Sequence, residues 1–392
     1  MFPFAERVTS LPKYAFARTD EMKARARSEG KDLIDLAIGN PDLRPPRSAI
    51  DALHRALDDS AHQLHRYSPF NGIPVFREAV ARWYKTRFDV DVDPDREVLP
   101  VIGSKEGLAK LALAFLNPGD TAIIPSPAYP AYFPSVHVAG GVAHQMPLLE
   151  ELGFQPDLDA IPADTAAKAK YIVINYPNNP TGGIETDLLE KVVAFGERTN
   201  TLVVSDIAYS ELPLDDDVHP RSIFQIDRDK KNSIEFQSFS KTYCMAGWRV
   251  GFVVGNPEII AMLYKLKSTA DFSVFPAIQA AAADVLTGPQ DFLKELRGVY
   301  RERRDVLVKG LCGLGWKVAS PKAGMYVWTR MPEKYENASQ FTDELVLATG
   351  VSISPGEGFG KYGAGFVRMA LVQPKERIAE AVKRIDAWGG LG

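Results

Sequence analysis

Residues Ser233 to Phe252 read SIEFQSFSKTYCMAGWRVGF. Ser238, Ser240 and Lys241 sit close together, Arg249 follows soon after, and an apolar segment runs from Val250 to Val254. From Ser238 onward the strongly polar side-chain groups are hydroxyls, one ammonium and one guanidinium. Such groups can hold a phosphate while presenting an amine. A lysine forms a Schiff base with a carbonyl once burial or nearby positive charge lowers its pKa. Arg249 can supply that charge and grip a phosphate with its rigid fork. The cofactor that needs both a lysine imine and a phosphate anchor is pyridoxal 5'-phosphate. Taken alone, Ser-x-Ser-Lys also describes many solvated loops, so the rest of the chain has to supply the remaining parts.

Working outward, Val98–Ile102, Thr121–Pro125, Tyr171–Asn175, Thr201–Ser205, Glu235–Phe239 and Trp248–Val254 read as strands, with helical runs between them. This alternation predicts an α/β fold, a mainly parallel sheet covered by helices on both faces. Ligands of such sheets lie beyond the C-terminal ends of the strands. Ser104, Tyr129, Asn179, Asp206, Tyr209 and Lys241 all fall in that position. Gly103–Gly107 (GSKEG) joins a strand to a helix, which makes either an anion site or a plain turn. It matches neither the Walker A pattern nor GxGxxG, which argues against a nucleoside triphosphate or a dinucleotide. Tyr129, in SPAYPAYFP, can stack on a flat ring. Two prolines constrain the loop that carries Asn179, YPNNPTGG. An acid directly after a hydrophobic strand, as Asp206 is, points to a site role.

The flanks read differently. Residues 1 to 30 are an arm and then a helix capped by Thr19 or Asp20 and ended by Gly30. Asp32–Ile38 reads as a strand entering the turn Gly39-Asn40-Pro41-Asp42, where Gly39 suits a close backbone approach. Residues 48 to 60 read as a helix, Tyr67 as a loop residue, and Ile73 onward as an amphipathic helix. Residues 256 to 312 are mostly helical. Beyond Gly315, WKVAS and MYVWTRM read as strands and SQFTDELVLAT as a helix. The strand GVSISP, a glycine loop, the strand FVRMALV and a last helix follow. This pattern predicts a smaller α+β domain. The expected division is a large domain over 48–285 and a small one from 1–47 and 286–392. Arg368, inside an apolar strand, wants a carboxylate, either in a structural ion pair or from a substrate.

Composition narrows the class. With 392 residues, 45% hydrophobic and 24% charged, the chain is an ordinary globular sequence of about two or three domains. A net charge of -4, without a basic stripe, argues against nucleic acid and anionic membrane surfaces as partners. Two cysteines make no disulfide framework and fit a reducing cytoplasm, the expected location. MFPFAERVTS lacks the apolar core of a signal peptide, and no apolar run approaches the roughly 20 residues of a membrane helix. No metal site is read.

Together, IGNPD, RYSPFNGIPVFREAV, IGSKEG, PAYP, YPNNPTGG, SDIAYSE, SFSKTYCMAGWRVGF and GFVRMAL resemble, in this order and over nearly the whole chain, the class I/II aminotransferases. These are pyridoxal-phosphate enzymes of fold type I. The wording IGSKEG, NYPNNPTGG and PLLEELGFQPDLDAIP is most similar to the LL-diaminopimelate and N-succinyldiaminopimelate aminotransferase branch. The resemblance implies that Lys241 carries the cofactor and that Asp206 pairs with its ring nitrogen. Tyr209 and Asn179 would meet the ring oxygen, and Tyr129 would stack on the ring. Ser104, Lys105, Ser238, Ser240 and Arg249 would surround the phosphate, Lys105 through its backbone. Arg368 and Gly39, with Asn179, would receive the substrate carboxylate, and Tyr14 would close over it. Tyr67 would reach the phosphate of a partner subunit, so a homodimer with shared sites is implied. The implied reaction moves an amino group from an amino acid to a 2-oxo acid such as 2-oxoglutarate, in ping-pong order. A β-lyase or synthase on the same fold shares these residues, and a non-catalytic sensor of the cofactor is a third reading.

Overall fold

The computed structural model describes residues 2–58 and 64–391. Its strands, in chain order, are β1 (Ile34–Asp35), β2 (Val98–Val101), β3 (Thr121–Ser126), β4 (Val142–Pro147), β5 (Ala169–Asn175) and β6 (Leu202–Asp206). They continue with β7 (Ser233–Ser238), β8 (Gly251–Gly255), β9 (Tyr326–Arg330), β10 (Val351–Ser352), β11 (Ser354–Pro355) and β12 (Phe366–Ala370). Seven of them form one sheet in the order β2-β8-β7-β6-β5-β3-β4. Strands β3 to β7 run parallel, whereas β8 is antiparallel to both of its neighbours, β7 and β2.

The period of two along β5 explains why this sheet is covered twice. Ile172 and Ile174 face a core with Phe76, Val80 and Trp83 of the helix Pro74–Phe88 and Val192 of the helix Leu188–Thr199. Tyr171 and Val173 face another core with Leu108 and Leu111 of the helix Ser104–Phe115 and Leu263 of the helix Pro257–Ala270. A strand buried on both faces has to be apolar throughout, as a central parallel strand is.

A third core gathers Ile34 and Leu36 with residues from Leu296 to Ile385. Here β1 pairs in parallel with β10, and β11-β12-β9 form an antiparallel sheet. The helix Asp291–Gly313 joins the cores, with Leu293 in the first and Leu296, Tyr300, Leu307 and Leu311 in the third. Among the described residues, no helix is long and apolar enough to cross a membrane.

Several expected elements are shorter than the residue pattern suggests. The strand expected over 32–38 is only β1, because the Asp35 carboxylate accepts from the Ala37 N–H at 2.9 Å and turns the chain. The strand expected over 98–102 ends at Val101, because the Ile102 N–H donates to Glu106. The strand expected from Trp248 begins at Gly251, after a 3-10 turn and a left-handed Arg249 at φ 54. WKVAS forms no strand, and GVSISP breaks into β10 and β11. The first long helix is Ala17–Ser28, so Phe16, and neither Thr19 nor Asp20, stands at its cap. Of the helix expected over 48–60, Arg47–Asp58 is seen, and residues 59 and 60 lie outside the described residues.

Candidate active site

The parallel strands end on one side, and their terminal residues and following loops line a single cavity of about 330 Å³. Asp206 closes β6, and so belongs to the strand itself; its register partners are Asn175 and Phe236. Tyr132 donates to its carboxylate at 2.7 Å, and the Ala208 N–H donates at 3.2 Å. Asn175 donates its amide to the Asp206 carbonyl and accepts from the Asn179 N–H. Burial pushes the Asp206 carboxyl up to about 6, against the pull of those donors. A buried acid in this state gains most from a cation brought against it.

Lys241 sits in a one-turn helix, Phe239–Thr242, that starts where β7 stops. Ser238 caps it, its hydroxyl accepting from the Ser240 N–H at 3.2 Å. The Lys241 stem opens into the cavity and is otherwise enclosed by protein. Burial holds its amine below the ordinary lysine value, and Arg368 and Arg249 add to this, while Tyr326 and Cys244 oppose it. The Nζ donates to the Gly39 carbonyl at 2.5 Å. A lysine in this setting is an available nucleophile and base.

An anion cradle lies beside it. The helix Ser104–Phe115 has Gly103 as its N-cap and no capping side chain; its Glu106 N–H turns back to the Gly103 carbonyl at 3.1 Å, and Ser104 and Lys105 of its first turn line the cavity. Gly103 has φ +76, and a Cβ there would overlap Arg249 Nη2, so only glycine lets that guanidinium close over the turn. Arg249 donates to the Ala246 carbonyl at 2.8 Å. Ser104, Lys105, Ser238, Ser240 and Arg249 all line the cavity here, and together they can hold a phosphate.

Across the cavity, Arg368 is buried at 4% exposure. It donates to Asn179 Oδ1 at 2.9 Å and to the Ala37 carbonyl at 2.7 Å. Its Nε has no partner, and among the described residues no carboxylate pairs with it. Burial holds its guanidinium below the ordinary arginine value. An enclosed guanidinium that lines a cavity and has no carboxylate partner can take one from a ligand.

Of the residues singled out by sequence, the cavity brings together Tyr14, Gly39, Ser104, Lys105, Tyr129, Asn179, Asp206, Tyr209, Ser238, Ser240, Lys241, Arg249 and Arg368. Tyr67 is not among them. It is 80% exposed and stacks on Phe272 at 4.3 Å, outside the cavity. Sequence reasoning missed Tyr326, Tyr132 and Asn175. The loop SPAYPAYFP did offer a signal for Tyr132, since it carries a second tyrosine after Tyr129. Among the described residues, no group of His, Cys, Asp and Glu is placed to hold a metal.

Comparison with known proteins shows the family. The profile of the family "Aminotransferase class I and II" matches residues 31–385. The LL-diaminopimelate aminotransferase of Halothermothrix orenii is 44% identical over 382 residues, covering 97% of each chain. A substrate-bound structure of BacF from Bacillus subtilis is 35% identical, with a TM-score of 0.94 over 99% of this chain and 98% of that one. A probable N-succinyldiaminopimelate aminotransferase from Thermus thermophilus is 36% identical, with a TM-score of 0.89 over 95% of this chain and 100% of that one. A buried lysine, an acid at a strand end, an anion cradle and an unpaired arginine thus share one cavity in a chain that belongs to the class I and II aminotransferases, pyridoxal-phosphate-dependent transaminases of fold type I.

Proposed function

We propose that the protein moves the amino group of an amino acid of the diaminopimelate type to a 2-oxo acid such as 2-oxoglutarate, in ping-pong order. The observation that carries this reading is the enclosed Lys241 amine in one cavity with Arg368 and the Arg249 cradle. The diaminopimelate donor is supported by the name of the relative at 44% identity.

The residues present fit pyridoxal phosphate. Ser104, Lys105, Ser238, Ser240 and Arg249 would hold its phosphate, Asp206 would pair with its ring nitrogen, and Tyr209 and Asn179 would meet its ring oxygen. Tyr129 would lie against the ring face. When bound, the cofactor supplies an electron sink for the carbon that bears the amino group. Lys241 would take the proton from that carbon and deliver it to the cofactor carbon on the far side of the amino nitrogen. Arg368, Asn179 and the Gly39 backbone hold the substrate carboxylate, which fixes the carbon before the lysine. Tyr14 covers the mouth. Tyr67, turned outward, reaches the phosphate of the partner subunit in a homodimer.

A half-reaction followed by absorbance tests the proposal. Diaminopimelate, N-succinyldiaminopimelate, alanine, glutamate and aspartate are added singly to the cofactor-loaded protein. Conversion of the cofactor to its amine form by diaminopimelate, reversed by 2-oxoglutarate, is the expected result. No conversion by any of them, with ammonia and pyruvate formed instead from an amino acid that carries a β-leaving group, such as cystathionine, would make the enzyme a lyase. Conversion by one of the other donors alone would remove the diaminopimelate assignment.

A further inference from the structure

We infer that Tyr326 is a positioning residue of this site, its ring holding Arg368 in place and its hydroxyl, against Gly39 and Tyr209, holding the Gly39 carbonyl against the Lys241 amine. The inference rests on the proposed roles of Lys241 and Arg368.

Tyr326 begins β9, and its partner in the ladder is Ala370, while Arg368 pairs with Trp328. Tyr326 and Arg368 are therefore diagonal neighbours on one face of the sheet. The guanidinium of Arg368 lies 4.1 Å from the centre of the Tyr326 ring and 4.6 Å from that of Phe359. Two rings about a planar cation restrict its tilt, so the edge it turns to the cavity is fixed.

The hydroxyl has a separate set of contacts. It lies 3.1 Å from the Tyr209 hydroxyl. A Cβ on Gly39 would overlap it, so the oxygen rests directly on the Gly39 backbone. The carbonyl of Gly39 accepts from Lys241. Burial alone would raise the Tyr326 hydroxyl, but the Lys241 amine, Arg368 and Tyr209 bring it below its ordinary value. Lys241 also faces Arg368, Cys244 and Arg249. Tyr209 also faces Arg368 and Tyr129, and the buried Tyr300 senses Tyr326, Cys244, Asp42 and Arg303. Of these groups, the tyrosine hydroxyl is the one that favours the charged lysine and also borders the guanidinium.

The ring and the hydroxyl can be removed separately. Tyr326→Phe keeps the ring, and Tyr326→Leu removes both. In cofactor-free protein, cyanate labelling of Lys241 is followed across a pH series by peptide mass spectrometry. Tyr326→Phe is expected to lower the midpoint, so that Lys241 reacts about threefold or more faster at neutral pH. In the loaded enzyme, Tyr326→Phe should leave KM for the amino donor within about twofold, and Tyr326→Leu should raise it about tenfold. Equal labelling midpoints in wild type and Tyr326→Phe would overturn the hydroxyl's role, and an unchanged KM in Tyr326→Leu would overturn the ring's. A wild-type Lys241 no more reactive than exposed lysines would overturn this inference and the proposed role of Lys241 together.

Discussion

The Nζ of Lys241 donates a 2.5 Å hydrogen bond to the carbonyl of Gly39, a residue 202 positions away in the chain. The donor hangs from the end of a strand in the large sheet, and the acceptor follows β1, which pairs with β10. The reactive amine is therefore oriented from outside its own sheet. A hydrogen bond to a carbonyl gives the amine direction while leaving its lone pair available once a proton is lost.

Lys241→Ala should reduce turnover by several orders of magnitude, because among the described residues no other amine lines the cavity except Lys105, on the opposite helix N-terminus. Steady-state rates with the donor found in the half-reaction check this. Retention of normal rates would remove the amine from the chemistry.

Gly39→Ala drives a methyl into the Tyr326 hydroxyl. The Tyr326 ring is buried, so the loop carrying the carbonyl has to shift. A cost of about 1–3 kcal/mol is expected for forcing a methyl into such packing. The apparent Tm should fall, and KM for the amino donor should rise. Calorimetry and donor titration read the two effects separately.

Asp206→Asn should stabilise the cofactor-free protein at neutral pH, progressively less as pH falls from about 6, and have little effect below the ordinary carboxyl value of 3.8. The carboxyl titrates at about 6 when folded, against an ordinary value of 3.8. Between those values the folded state binds more protons than the unfolded state. Stability contributed by this group therefore falls as pH rises through that window and stays low above it. A shift of about two units corresponds to about 3 kcal/mol at most. Thermal melts of both proteins across pH check the sign. Because the carboxyl faces the cavity, turnover should fall sharply in the same variant.

Arg368→Lys should raise KM for both amino acid and oxo acid by about tenfold or more, with a smaller change in kcat. Lysine keeps the charge but loses the planar fork and the stacking between Tyr326 and Phe359. Equal KM values for the variant and the wild type would move the carboxylate site elsewhere.

Much of the sheet was legible because β5 and β6 are apolar on both faces, a pattern visible in the order of the residues alone. The residues at their ends were legible for the same reason, since a polar group directly after such a run stands out. Pairing was less legible: β8 has the composition of its neighbours, and nothing in its residues announces that it runs against them. Tyr326 escaped notice because its contacts are with Tyr209, Gly39 and Arg368, each distant in sequence. Tyr132 escaped because its acceptor, Asp206, lies 74 residues away. Short elements such as β1 and β10 were misjudged in length, because side-chain and backbone hydrogen bonds across the fold decide where they stop.

The pairing of β1 with β10 also bears on how the enzyme is made. Ile34 and Asp35 leave the ribosome long before their partners Val351 and Ser352, and before Arg368 behind them. The large sheet can assemble while synthesis continues, since its strands are all complete by Gly255. Gly39 has no strand to hold it until the C-terminal segment emerges. Nascent chains released short of β10 should therefore have a folded sheet but no competent pocket, with apolar residues such as Ile34 and Leu36 left for chaperones to cover.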